Sequence, residues 1–176
     1  MDFDLKIVGG TIVDCSGSED YRGDVGILDG RVATLGKIKG YAARALDAGA
    51  HASQLCDARY STYLLGHWSR NEGAMPLEKA VHMLTKKPAT LMGIADRGLL
   101  AQELPADIVV FYPQRVGATG LIRVHDQPVG QDGLVSQAKG IHAVAVNGMV
   151  IREDNTDRVA PDSDLPGRVL RSLQAA

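Results

Sequence analysis

Two dipeptides constrain this chain more than anything else in it: Asp29-Gly30 and Asn147-Gly148, each set between short runs of β-forming residues. A tight type I′ turn needs positive φ at both central positions. Glycine accepts this freely and Asp or Asn tolerates it, so each dipeptide marks an antiparallel hairpin. Around the first lie Leu5, Ile7 and Val8 leading to Gly9-Gly10, then Thr11-Ile12-Val13, Val25-Gly26-Ile27-Leu28 and Val32-Ala33-Thr34-Leu35. Around the second lie Ile108-Val109-Val110-Phe111, Ala143-Val144-Ala145-Val146 and Met149-Val150-Ile151. From Ala58 to Gly93 the period becomes helical, with Leu64, Leu65 and Trp68 on one face and Leu77, Ala80, Val81 and Leu84 on another. Pro88 is expected to end or bend the second helix, and Gly93 to supply a left-handed cap. Residues 113–139, with many Gly, Gln and Asp, read as a long surface loop, and 153–165 as a polar tail ending near Pro166.

The expected fold class is mainly β with α: an antiparallel β-sandwich built from both chain ends, with two or three packed helices and no complete TIM barrel. Such a barrel takes ~250 residues by itself, and this chain has 176. The expected division is opening strands at 1–46, a junction at 47–57, a helical segment at 58–100, closing strands of the same sandwich at 101–152, and a tail at 153–176.

Composition narrows the function classes. A formal charge of -2 and no long basic run remove the electrostatic footprint of a nucleic-acid binder. Met1-Asp2-Phe3-Asp4 carries acids where a signal peptide carries positive charge, and no apolar run approaches the ~20 residues of a membrane span. The expectation is a cytoplasmic protein that binds neither nucleic acid nor membrane. Cys15 and Cys56 are the only cysteines, stand in no CxxC arrangement, and read as free thiols in a reducing compartment, with a disulfide between them left open. No phosphate-cradling glycine motif is present, and Gly117-Ala118-Thr119-Gly120 reads as a flexible turn.

Ile7-Val8-Gly9-Gly10-Thr11-Ile12-Val13-Asp14, Gly23-Asp24-Val25-Gly26-Ile27 and Asp29-Gly30-Arg31-Val32 resemble the opening strands of amidohydrolases that cleave N-acyl-D-amino acids. Thr85-Lys86-Lys87-Pro88-Ala89, Gly93, Asp96-Arg97-Gly98 and Pro105-Ala106-Asp107-Ile108-Val109-Val110-Phe111 are similar to the segment that re-enters their β-sandwich. Val146-Asn147-Gly148 and Pro166-Gly167-Arg168-Val169-Leu170 match the closing pieces. The resemblance implies a zinc-dependent hydrolase of a linear amide bond whose catalytic barrel, normally inserted near residues 47–57, is missing. It also points to three departures from the family pattern: Cys15 and Glu103 where glycine is usual, and Tyr112 where aspartate is usual. A left-handed turn at 103 would strain a glutamate by ~1 kcal/mol or more.

Amide hydrolysis at zinc needs about three protein ligands plus a water whose acidity the metal raises. The five histidines stand at 51, 67, 82, 125 and 142, with no His-x-His and no His-Glu-x-x-His. Under one alignment of Leu46-Asp47-Ala48-Gly49-Ala50-His51, the resemblance makes Asp47 the ligand and proton shuttle; otherwise it is a polar residue capping a loop. His51, Cys56 and Asp57 are close enough to suggest a small metal site, but match no standard ligand spacing. His67 is expected on a partly exposed flank with Tyr60 and Tyr63, and His82 in solvent near Lys79 and Lys86.

The reading is a truncated amidohydrolase-like protein, inactive alone, with no cofactor expected in this chain although the full-length family carries zinc. Apolar surface left by a lost barrel would lead it to form a homo-oligomer. The alternatives are one part of a working metal-dependent hydrolase whose barrel comes from another chain, and a metal-free module binding a protein or an unidentified small molecule.

Overall fold

The computed structural model describes residues 3–34, 56–125, 128–160 and 162–171. The chain divides into two compact units, one comprising Met1–Ala45, Glu78–Val110 and Ile141–Ala176, the other Leu46–Leu77 and Phe111–Gly140.

In the first unit, β1 (Leu5–Ile12), β2 (Tyr21–Leu28) and β3 (Arg31–Thr34) form a three-stranded sheet in that order. The pieces expected on either side of Gly9-Gly10 are one strand. Its register against β2 shifts between Ile7 and Gly10, a bulge that takes up Val8 and Gly9 (φ 67°) while Gly10 pairs with Gly23. Asp29 and Gly30 adopt φ of 51° and 70°, as a hairpin turn between β2 and β3 demands.

A second, four-stranded sheet has the order β11-β10-β9-β4, with β4 at Ile108–Phe111, β9 at Ile141–Val146, β10 at Met149–Glu153 and β11 at Thr156–Asp157. Met149 pairs with Val146 across Asn147-Gly148, whose φ values are 46° and 82°. The start of the expected polar tail therefore belongs to the sheet.

The two sheets share one core: Ile12, Val25, Ile27 and Val32 from the first meet Ala106, Ile108 and Ala145. Ile27 is 1% exposed and Val32 0%; burying side chains of this size stabilises by roughly 1.5–3 kcal/mol each. The two hairpin turns touch. A Cβ on Gly30 would lie 2.6 Å from the Asn147 carbonyl oxygen, and one on Gly148 would lie 2.7 Å from Gly30 Cα. Ala106 links them, its N–H donating to Gly30 O at 2.9 Å and its carbonyl accepting Gly148 N–H at 3.0 Å.

Helix α2 (Leu77–Leu84) buries Ala80, Val81 and His82. The helical run breaks at Thr85 (φ -125°, ψ -86°) and resumes as α3 (Lys86–Leu91). Pro88 accounts for this break as expected: in a continuous helix its ring would meet the Leu84 carbonyl, whereas in the first turn of α3 its missing N–H costs nothing. Gly93 does cap α3: Ile94 N–H donates to Ala89 O at 2.8 Å and Gly93 N–H to Thr90 O at 3.2 Å, a Schellman pairing.

The second unit begins with a 3-10 turn at Asp57–Arg59 and the short helix α1 (Tyr60–Tyr63), which continues as a π-helix at Leu64–Asn71. Residues 113–139, expected as one long loop, carry four short strands: β5 (Gly117–Ala118) pairs with β8 (Ala138–Lys139), and β6 (Ile122–Val124) with β7 (Gly133–Val135). The turn at Thr119-Gly120 is pinned, with Thr119 N–H donating to Gln137 O at 2.8 Å and Gln137 N–H to Thr119 Oγ1 at 2.8 Å. Val116, 0% exposed, is the fully buried anchor of this unit.

The structure is therefore mostly antiparallel sheet with packed helices, and no sheet among the described residues closes into a barrel. No helix among them is long and apolar enough to cross a membrane.

Candidate functional site

Asp47 and His51, the residues on which a catalytic reading turns, lie outside the described residues. Cys56 is half-buried and carries a free thiol, and Asp57 opens the 3-10 turn. Among the described residues no group of three His, Cys, Asp or Glu side chains could hold a metal ion. The donor set among the described residues does not fit a zinc centre.

The histidines are occupied otherwise. His67 stacks on Tyr63 with ring centroids 4.7 Å apart and meets Trp68 edge-on at 4.9 Å. Its Nδ1 lies 4.0 Å from Glu72 Oε1. Tyr63 shares the flank with His67 as expected, but Trp68, expected beside buried Leu64 and Leu65, is 47% exposed. The reason is the helix type. Glu72 N–H donates five residues back to His67 O at 2.9 Å, and this wider turn carries Trp68 off the face that 3.6-residue spacing assigns.

His82, expected in solvent, is 5% exposed. Its Nδ1–H donates to the Cys15 carbonyl at 2.8 Å, and that bond removes most of the cost of burying a polar ring. Around it lies the densest set of buried polar groups among the described residues. Asp14 Oδ1 accepts the Ser16 N–H at 2.9 Å in an Asx-turn, and the Asp14 carbonyl accepts the Leu100 N–H at 3.1 Å. Asp14 Oδ2 is buried without a hydrogen-bond partner. Burial pushes the Cys15 thiol above its ordinary value, with the Asp14 carboxylate adding to the rise, while hydrogen bonds with Thr85 and the Leu100 backbone act the other way. Burial, then Asp14, also raises Tyr21. A thiol held protonated is a poor nucleophile and a poor metal ligand. With His82 Nδ1 committed to a carbonyl, this cluster ties the loop after β1 to α2 and is not arranged for chemistry. Sequence spacing gave no sign of it, because His82 depends on a carbonyl in a segment remote along the chain; the only local signal was the Asx-turn at Asp14.

The residues that carry the family resemblance also have structural work. Arg97, its side chain 10% exposed, places Nε 2.7 Å from Asp107 Oδ2, Nη1 2.7 Å from Asp96 Oδ2 and Nη2 3.0 Å from Asn147 Oδ1. Asp107 Oδ1 accepts the Asn147 N–H at 2.8 Å, and Asn147 Nδ2 donates to Pro166 O at 2.6 Å. Motifs spread from Asp96 to Pro166 thus converge on one clamp around the second hairpin turn. Two departures from the resemblance also have a structural sign: Cys15 (φ 69°) and Glu103 (φ 65°) both sit in the left-handed region.

The chain is 37% identical over 91 residues to a D-aminoacylase of Alcaligenes xylosoxydans xylosoxydans, a stretch covering 52% of this chain and 17% of that protein. A crystal structure of D-aminoacylase aligns with 63% of this chain and 21% of its own at 34% identity and a TM-score of 0.48. An N-acyl-D-glutamate deacylase from Bordetella bronchiseptica, solved with zinc and a phosphonate inhibitor, aligns over 63% of this chain and 20% of its own at 33% identity and a TM-score of 0.45. Across the curated relatives it matches, the chain spans 17–20% of their length. Residues 41–151 match the sequence model described as "Amidohydrolase family". The chain belongs to the amidohydrolase family, and is related to its zinc-dependent N-acyl-D-amino-acid deacylases over a fraction of their length.

Proposed function

We propose that this chain is a sandwich-and-helix portion of the N-acyl-D-amino-acid deacylase lineage that does not hydrolyse amides by itself. The observation that carries the reading is the histidine distribution. Hydroxide attack on a zinc-polarised carbonyl needs about three convergent ligands, whereas the five histidines here are dispersed from 51 to 142 without a His-x-His or His-Glu-x-x-His pair. Those at 67, 82 and 142 are engaged by Tyr63 and Trp68, the Cys15 carbonyl and Asp154 respectively. Asp47 alone, even in the shuttle role the resemblance allows, has no metal-bound water to deprotonate.

Elemental analysis of the purified chain, paired with an assay on N-acetyl-D-amino acids, tests this. The expected result is well under one zinc per chain and no turnover. Stoichiometric zinc with turnover would overturn the reading and give His51, Cys56 or Asp57 a ligand role.

A further inference from the structure

The second unit contains a cavity of about 250 Å³ lined by Leu65, Ser69, Arg70, Met75, Leu77 and Pro113. Its floor is apolar, and its charged group is unusual in its partners. Arg70 Nε donates to Asn71 Oδ1 at 3.0 Å, and Nη1 donates to the carbonyls of Pro113 at 3.2 Å and Val116 at 2.5 Å. Arg70 is exposed and none of these acceptors is a carboxylate, so the guanidinium is held in place with no ion pair among the described residues. Nη2 and the Ser69 hydroxyl make no hydrogen bond among the described residues. Glu72, the nearest acid in sequence, lies beside His67, with Oε1 4.0 Å from its Nδ1.

We infer that this cavity binds a short-chain aliphatic monocarboxylate. The carboxylate takes the open Nη2 hydrogens of Arg70 and the Ser69 hydroxyl, while the alkyl tail lies on Leu65, Met75 and Leu77. With Nε and Nη1 occupied, the guanidinium offers a carboxylate its two Nη2 hydrogens, and because it is already held in place it needs little further ordering to do so. Size selects the tail. At about 250 Å³ the cavity falls below the 300–1,000 Å³ range of pockets for drug-sized ligands and suits a fragment of a few carbons. The inference is independent of whether the chain hydrolyses amides, since none of these residues belongs to the metal-ligand question.

The test is calorimetric titration of the full chain with sodium hexanoate, with Trp68, the single tryptophan and the neighbour of Ser69, as a fluorescence reporter. Saturable binding with one site and a Kd of about 1 mM is expected for so small a ligand. Hexan-1-ol, which keeps the tail and lacks the charge, is expected to bind at least about tenfold more weakly. Arg70→Gln should weaken hexanoate by a similar factor. Because Arg70 also ties down Pro113 and Val116, a second variant leaves it in place: Met75→Glu supplies a carboxylate in cis and should abolish binding while the circular dichroism spectrum stays that of the parent. Non-saturable uptake, equal affinity for the alcohol, or undiminished binding by folded Met75→Glu would each overturn the assignment.

Discussion

The two units solve the problem of closing a small core differently. In the sandwich unit, two hairpin turns more than a hundred positions apart in sequence meet backbone to backbone, with Gly30 and Gly148 in mutual contact and the Arg97 clamp around Asn147. In the second unit, a π-helix lies against a two-residue strand: a Cβ on Gly66 would fall 2.4 Å from the Val116 carbonyl oxygen. The first contact is set by turns whose conformations are fixed by residue type, beneath a core of β-branched side chains. The second joins irregular elements, held also by Arg70 Nη1, which donates to the Pro113 and Val116 carbonyls. Closeness of approach therefore does not by itself set rigidity, and substitutions can expose the difference.

Gly148→Ala should have the largest effect. It places a side chain at φ 82° and 2.7 Å from Gly30 Cα, with buried Ile27 also 3.2 Å away, so neither turn can retreat without opening the core. Adding the left-handed penalty to an overpacking cost gives a loss of about 2–5 kcal/mol, read as a fall in the denaturant midpoint followed by far-ultraviolet circular dichroism. Gly66→Ala should be milder. Alanine gains ~1 kcal/mol over glycine in a helix, and an overpacking cost of ~1–3 kcal/mol opposes it. A net loss of about 0–2 kcal/mol follows, reported by Trp68, which belongs to this unit. If both variants move both signals equally, the units unfold as one cooperative block and the contrast between them fails.

The same contrast explains what could be read from the chain. Asp29-Gly30 and Asn147-Gly148 were legible because turn chemistry is local, and the strands beside them alternate toward a core they share. That the turns touch was not legible, since nothing in either dipeptide refers to the other. Trp68 was assigned to the wrong face because periodicity arguments assume a 3.6-residue turn, which the i→i+5 bonding of Leu64–Asn71 breaks. The ribbons within 113–139 escaped because strands of two or three residues are shorter than any window in which alternation can be counted. His82 was misplaced because its burial depends on the Cys15 carbonyl. Of the candidate site, the absence of a ligand motif was plain from histidine spacing. Cys56 joins no group of three possible ligands among the described residues, and Asp47 and His51 lie outside them.

The smallest effect tests whether the sandwich unit, for all its tight closure, still carries strain where the resemblance indicates a lost glycine. Glu103 holds φ 65° while its N–H donates to Val32 O at 2.8 Å and its carbonyl accepts Arg31 Nη1 at 2.6 Å, so β3 fixes its backbone on both sides. Its side chain is exposed and makes no ion pair among the described residues. Glu103→Gly should relieve ~1–2 kcal/mol of left-handed penalty and lose ~0.5–1 kcal/mol to the greater freedom of glycine in the unfolded chain. A net gain of up to about 1.5 kcal/mol is expected, visible as a raised denaturant midpoint with an unchanged slope. Glu103→Ala separates the causes. It removes the carboxylate and keeps the strain, so it should leave the midpoint where it was; a gain equal to that of glycine would show that charge, and not backbone conformation, is what this turn tolerates poorly.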